Sequence, residues 1–506
     1  MQVGDIVRRA ALVHGRRPAI VTDDRRVTFA QLADRSARLR NAVTALTRPG
    51  DRVAILARNR PEYFEALYGV TGAGRSLVLL NYRLHPLELA AILGASGATL
   101  LIAERSLLDG LSGAAGLEQL AATFELGPGA PAGGTDYEDV LAATDPTGTW
   151  PRLEASSTAC IIYTSGTTGF PKGAMISHRA LGMSCLLSAL IYEARPGDRF
   201  LANFPMCHAS AFQLLAFHLQ GVEIILPPAF DAEQFLTLVE RHRPTKTGLA
   251  PTMARFVTGL SRYATADLSS IEQLSYGGMP MDPALAAGLV ERFGNLVTGF
   301  GQSESTALVT MLSPAEHRRA VAGEEHLLSS CGAALPFTEV TIRDDAGELV
   351  PTGQAGELCV RGETLMTGYW HDPAATEVAL AGGVLHTGDV ATMDADGLVY
   401  LVDRKKDMLI SGGQNIYPRQ IESVIAALPG VADVAVVGQP DPVWGEVVVA
   451  FVVARPGAGL GEQDIIDGCT AGLAGYKKPR AVHFVDDLPR NALGKVVKQS
   501  LRGRRS

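Results

Sequence analysis

The segment Tyr163-Thr164-Ser165-Gly166-Thr167-Thr168-Gly169-Phe170-Pro171-Lys172-Gly173-Ala174 follows directly on the apolar run Cys160-Ile161-Ile162. That run reads as the end of a buried strand. Three glycines, four serine or threonine hydroxyls and one lysine share these twelve residues, a composition suited to holding an anion. Gly166, Gly169 and Gly173 permit positive φ and a close approach of the backbone to a ligand. Successive N–H groups can then form a concave nest, with hydroxyl donors from Thr164, Ser165, Thr167 and Thr168. Lys172 supplies a point charge. The pattern is not a P-loop, which needs Gly-Lys-Ser/Thr after a fixed four-residue gap; here Pro171 precedes the lysine and Gly173 follows it. A plain connecting loop is the ordinary alternative for such a cluster.

Upstream, strands and helices alternate. Thr28 opens an amphipathic helix through a Thr-x-x-Gln box to Gln31, with Phe29, Leu32, Leu39, Val43 and Leu46 at helical spacing. Asp51 leads into the strand Val53–Leu56, Pro61 suits the first turn of a second helix, and Ser76–Leu80 and Thr99–Ala103 read as buried strands. Such alternation implies parallel pairing with helices on both faces. Residues 110–153 are rich in Gly, Ala, Pro and Thr and read as irregular surface connections. Downstream come a helix over 180–190, a strand at 222–226, and a helix started by Asp282-Pro283. From Glu339 to Tyr400, short β runs separated by Asp-Ala-Gly and Asp-Gly turns suggest a small antiparallel β subdomain. The charge cluster Asp403-Arg404-Lys405-Lys406-Asp407 marks a domain boundary. Beyond it lies an α+β unit of about 100 residues.

With 506 residues the chain exceeds what one core can serve and should divide into domains. A net charge of −8 disfavours nucleic acid as a partner. Six scattered cysteines without a Cys-x-x-Cys pair indicate neither a zinc site nor a redox dithiol. No apolar run reaches membrane-spanning length, and Met1–Asp5 carries no apolar signal core. These features together lead to the expectation of a cytoplasmic protein.

Six motifs, in order, give the chain a family likeness. They are Tyr163–Ala174, Tyr276-Gly277-Gly278-Met279-Pro280, Gly299-Phe300-Gly301-Gln302-Ser303-Glu304, His386-Thr387-Gly388-Asp389, Tyr400–Asp407 and Pro489-Arg490-Asn491-Ala492-Leu493-Gly494-Lys495. The set resembles that of the adenylate-forming superfamily, which contains acyl- and aryl-CoA synthetases, luciferases and peptide-synthetase adenylation domains. The resemblance implies an α/β fold. Its large N-terminal domain, 1–402, holds doubly wound αβ subdomains plus a small β subdomain; a hinge at 403–407 leads to a small mobile α+β C-terminal domain, 408–506.

It also implies a two-step ligase that uses ATP, Mg²⁺ and coenzyme A on a small carboxylic acid, with a homodimer left open. A carboxylate attacks the α-phosphate of ATP, and a thiol then displaces AMP. Meeting an anion with a polyanion demands charge neutralisation and positioning. By the resemblance, Thr164, Ser165, Gly166, Thr167, Thr168 and Lys172 hold the β- and γ-phosphates. Gly277, Gly278, Phe300 and Gly301 receive adenine, and Ser303 contacts the α-phosphate. Glu304 binds Mg²⁺, Asp389 and Arg404 bind the ribose, and Lys495 is the catalytic lysine of adenylation. Lys406 is the hinge residue, and Gly412-Gly413 leave room for a pantetheine arm. Trp444 and Tyr476 stack on the CoA adenine, with Lys477, Lys478 and Arg480 for its phosphates. His208 matches the gate between nucleotide and acyl pockets.

Two residues depart from the family pattern. Cys207 stands where a bulky aromatic is common, and Gln414 where many relatives have glutamate. Ala209, Ser210, Ala211, Gly248 and Ala250-Pro251-Thr252 suggest an apolar acyl pocket without a cation for a second carboxylate. The expectation is a medium- or long-chain fatty acid, with an aryl or alicyclic acid, or loading of a carrier protein, as alternatives.

Overall fold

An eight-stranded sheet forms around Thr158–Thr164, the strand that enters the glycine-rich segment. Its order is Gly368–Tyr369, Lys172–Ser177, Thr158–Thr164, Ser76–Leu79, Arg52–Leu56, Ala98–Glu104, Ala122–Leu126, Thr135–Asp136. From Thr158–Thr164 outward to Thr135–Asp136 every pairing is parallel. On the other side two antiparallel strands are added. A second, seven-stranded sheet runs Leu296–Val297, Gln273–Tyr276, Lys246–Leu249, Arg199–Leu201, Glu223–Ile225, Pro18–Val21, Arg26–Thr28. It is parallel except for its last pair. Parallel strands need crossovers, so helices separate them in the chain. Thr28 caps the helix Phe29–Leu46 through the box with Gln31, and Pro61 occupies the first turn of Pro61–Gly72.

In the computed structural model of the chain the described residues are 2–111, 117–129, 131, 133–164, 171–279, 281–306, 308–405, 407–411, 414–491 and 495–502. Ser165, Gly166, Thr167, Thr168, Lys406, Gly412 and Gly413 lie outside them. Two compact units divide the chain. The larger comprises Met1–Val340, Val360–His386 and Asp396–Val399; the smaller comprises Thr341–Cys359, Thr387–Ala395 and Tyr400–Ser506. The β runs between 338 and 404 gather into a four-stranded sheet.

Residues 110–153 are not merely irregular connections. Ala122–Leu126 adds to the first sheet beside Ala98–Glu104, burying Phe124 and Leu126, and the helix Tyr137–Ala143 follows, capped by Asp136. A two-residue apolar alternation is too short to announce a strand; the exposed edge of the preceding strand supplies the pairing.

The smaller unit carries a five-stranded sheet built on the long hairpin Val431–Asp441 with Gly445–Ala454. Pro418–Ala426 and Glu462–Gly472 supply Ile421, Ile425, Ile465 and Cys469 to a core with Val436, Val448 and Ala450. A second apolar cluster joins Ala435, Val437, Phe451, Leu488 and Leu501. Strand alternation therefore buries side chains from both faces of this sheet.

Candidate active site

The strand Thr158–Thr164 returns antiparallel as Lys172–Ser177, with Tyr163 opposite Gly173 and Thr164 opposite Lys172. Cys160, Ile161, Ile162, Ala174 and Ile176 bury this hairpin, so its polar end is anchored by apolar packing. Gly173 lies in the returning strand and does not turn the backbone, contrary to the reading from sequence. A β-carbon there would stand 2.9 Å from an Ile161 methyl and 3.0 Å from the Tyr163 ring. Gly173 is required by close packing.

Glu304 occupies the 3₁₀ turn Ser303–Ser305. The turn is closed by Gln302 N–H donating to Ser305 Oγ at 3.0 Å and by Thr306 N–H donating to Ser303 O at 3.0 Å. Met366 N–H donates to the Glu304 carbonyl at 2.8 Å. Thr164 Oγ1 donates to Glu304 Oε1 at 3.1 Å, and the Tyr369 hydroxyl donates to the same oxygen at 3.0 Å. The Lys172 ammonium lies 5.4 Å from the centre of the Tyr369 ring, in the range of a cation–π contact. Burial, and next the neighbouring Glu304, push the Tyr369 hydroxyl well above its usual pKa, so it stays a donor. A hydroxyl and a carboxylate at this spacing are hard oxygen donors, which suits Mg²⁺.

Thr306 was not singled out from sequence. Its backbone is at φ 63°, ψ −35°, its side chain is fully buried, and its hydroxyl has no partner among the described residues. A β-branched residue at positive φ costs about 1–3 kcal/mol. That strain is stored in the turn that presents Glu304. Tyr369 was also missed, since its contact with Glu304 spans 65 positions of sequence.

Phe300 is only 7% exposed, with its N–H bonded to Thr310 Oγ1 at 2.8 Å. Tyr276 ends a strand, and Gly277-Gly278 follow. Gly278 has φ 84°, and a β-carbon on either glycine would meet nothing within 4 Å. Open space therefore lies beside this backbone. The Tyr276 hydroxyl bonds His317 Nε2 at 2.9 Å, while His317 Nδ1 lies 2.8 Å from Ser313 O. His208 is half-buried just before the helix Ser210–Leu219. Cys207 is buried with Sγ 3.6 Å from Asn81 Oδ1, and burial raises its thiol to about 12, so it is no nucleophile. A cavity of about 440 Å³ shares no lining residue with these groups. Its lining carboxylates Glu62, Glu125, Asp136 and Glu138 are already paired with arginines.

In the smaller unit Asp389 is 5% exposed in the strand Leu385–Met393. Arg404 Nε approaches its Oδ1 to 2.6 Å, and Asp389 N–H donates to Thr387 Oγ1 at 3.1 Å. Trp444 and Tyr476 are 46% and 48% exposed. The Arg480 guanidinium lies 5.5 Å from the Trp444 ring centre, and Lys477 lies 5.8 Å from that of Tyr476. Lys478 is half-buried. Lys495 is exposed, and its loop is closed by Asn491 N–H donating to Lys495 O at 2.9 Å and Lys495 N–H donating to Asn491 Oδ1 at 3.0 Å.

The family profile described as "AMP-binding enzyme" matches residues 7–370, and that described as "AMP-binding enzyme C-terminal domain" matches 420–495. The chain belongs to this family, within the adenylate-forming superfamily. It is an enzyme, an AMP-forming acid–thiol ligase. A feruloyl-CoA synthase of Amycolatopsis is 38% identical over 481 residues, covering 94% of each chain. A long-chain-fatty-acid–CoA ligase of Mycobacterium tuberculosis is 34% identical over 514 residues, covering 99% of this chain and 98% of that one. Among solved structures, the amide bond synthetase McbA of Marinactinospora thermotolerans superposes with a TM-score of 0.89 at 32% identity, over 99% of both chains. No helix among the described residues is long and apolar enough to cross a membrane.

Proposed function

We propose that this AMP-binding enzyme joins a carboxylic acid to coenzyme A through an acyl-adenylate. The acid's carboxylate oxygen forms a bond to the α-phosphorus of ATP as pyrophosphate leaves. The CoA sulfur then bonds to the acyl carbon as AMP leaves. The observation that carries this reading is the convergence of Thr164 and Tyr369 on one carboxylate oxygen of Glu304, with the Lys172 ammonium near the same tyrosine ring. A carboxylate among hydroxyls beside a cation is what a metal–triphosphate needs.

Thr164 and Lys172, with Ser165, Gly166, Thr167 and Thr168, take the β- and γ-phosphates, and Ser303 the α-phosphate. One Mg²⁺, held by Glu304, supplies charge neutralisation. Gly277, Gly278, Phe300 and Gly301 border the adenine, and Asp389, held by Arg404, accepts from the ribose hydroxyls. Lys495 neutralises charge developing at the α-phosphate, and His208 separates the nucleotide from the acyl pocket. For thiol transfer, Lys406 acts as hinge between domains 1–402 and 408–506. Gly412 and Gly413 pass the pantetheine arm, while Trp444, Tyr476, Lys478 and Arg480 hold the CoA nucleotide. Six free cysteines suit a reducing, cytoplasmic setting.

For the acid, we favour a medium- or long-chain fatty acid, since the residues assigned to the acyl pocket bring no cation for a second carboxylate. An aryl acid is the second reading, favoured by the higher identity to feruloyl-CoA synthase than to the fatty-acid ligase. Pyrophosphate release with ATP, Mg²⁺ and CoA over saturated C6–C18 acids, ferulate and benzoate tests both. Turnover fastest on a fatty acid supports the first, and turnover fastest on ferulate the second. AMP formation that ignores CoA in every case would sink the CoA reading.

A further inference from the structure

One oxygen of Glu304 is engaged twice. Oε1 accepts from Tyr369 and from Thr164, whereas Oε2 accepts no hydrogen bond among the described residues. Tyr369 is itself held at several points. Its strand pairs with the strand leaving the phosphate segment, Tyr369 opposite Ala174, and its N–H donates to Thr376 Oγ1 at 2.8 Å. Met366, three residues earlier, ties the same segment to the Glu304 backbone. The carboxylate and the tyrosine therefore keep one register, and the ring lies against the Lys172 ammonium. No ion pair joins Lys172 to Glu304 among the described residues.

A carboxylate with one oxygen tied by two donors can offer only the other to an ion. Mg²⁺ accepts a single carboxylate oxygen and keeps several waters in a strict octahedron, whereas Ca²⁺ takes more oxygens and readily binds a carboxylate through both. We propose that Tyr369 is a positioning residue that makes Glu304 a one-oxygen ligand and thereby sets the preference of the nucleotide site for Mg²⁺ over Ca²⁺. This rests on the reading of Glu304 as the metal ligand. Removing the phenol hydroxyl leaves Thr164 as the single donor on Oε1, so Glu304 can turn both oxygens towards a larger ion and discrimination falls.

The test is calorimetric binding of Mg²⁺ and of Ca²⁺ to the full chain saturated with α,β-methylene-ATP, with Mn²⁺ electron resonance as an independent monitor of occupancy. Tyr369→Phe keeps the ring and is expected to reduce the Mg²⁺/Ca²⁺ affinity ratio about tenfold, the worth of one hydrogen bond to a charged group. A residue that serves only the fold would weaken both ions equally, and an unchanged ratio overturns the inference while leaving Glu304 as ligand. If the wild-type chain binds the analogue but holds neither ion, the metal reading fails and the inference with it. Should Tyr369→Phe not fold, the wild type still decides. A Mg²⁺/Ca²⁺ ratio no higher than that of the free analogue overturns the proposal, and a higher one supports it.

Discussion

In the larger unit the polar groups lean on one another. Thr164 and Tyr369 share Glu304 Oε1, Lys172 rests on the Tyr369 ring, and the strained Thr306 closes the turn beneath them. In the smaller unit Trp444, Tyr476, Arg480 and Lys495 are exposed and Lys478 is half-buried, whereas Asp389 is buried beside Arg404. The first arrangement is preorganised, and under the proposed function its dipoles would need little rearrangement on binding a phosphate. The second offers donors and stacking faces that gain their full strength only when a ligand excludes water. Under the proposed function the larger unit supplies the groups for the triphosphate and the smaller one those for the ribose and the acceptor.

If that division holds, the largest effect belongs to one exposed residue. Lys495→Ala is expected to lower acid-dependent ATP–pyrophosphate exchange about 10³-fold while leaving the conversion of supplied acyl-adenylate to thioester largely intact. Equal loss in both assays would break the contrast. Next, Glu304→Gln keeps shape and removes charge, and is expected to lower exchange about 10²-fold, read from initial rates at saturating ATP. Full exchange activity would reduce the Thr164–Glu304–Tyr369 cluster to a structural network.

Smaller still, Trp444→Ala removes the surface against which Arg480 stacks and should raise the KM for CoA about tenfold, with pyrophosphate exchange unchanged. An unaltered KM would take this face out of acceptor binding. The smallest effect concerns the core of the larger unit. His218 is enclosed by Phe29, Phe64 and Tyr68, with Nδ1 2.9 Å from the Tyr68 hydroxyl, and burial lowers it to about 3 from 6.5. The unfolded chain therefore binds a proton between those values that the folded chain refuses. Stability falls as pH drops from about 6.5, by at most about 1.4 kcal/mol per unit. Thermal unfolding at pH 7.5, 6.0 and 5.0 should show the decline and His218→Gln a shallower one; equal slopes would remove His218 as its source.

Features that a few neighbouring residues decide were legible in the chain. Thr28 and Gln31 cap a helix because both partners lie within one turn, and the alternation of strands and helices follows from apolar periodicity. The pairing of Arg404 with Asp389 was legible only through motif likeness. The strand Ala122–Leu126 was not legible, because a neighbouring strand and not its own pattern pairs it, whereas the helix Tyr137–Ala143 has a local cap in Asp136 that was overlooked. Gly173 was misread because composition cannot tell a glycine that turns the chain from one that makes room for a ring.

By itself the sequence determined the α/β class, the two-part organisation, the family and the residue types able to meet a triphosphate, because these rest on local periodicity and on motifs a few residues long. Only the tertiary structure decided that Tyr369 and Thr164 both bond one oxygen of Glu304, and that Thr306 stands at positive φ in the same turn. Those facts depend on the register between Gly368–Tyr369 and Lys172–Ser177, and register is set by the packing of whole sheets, which no short stretch of chain encodes.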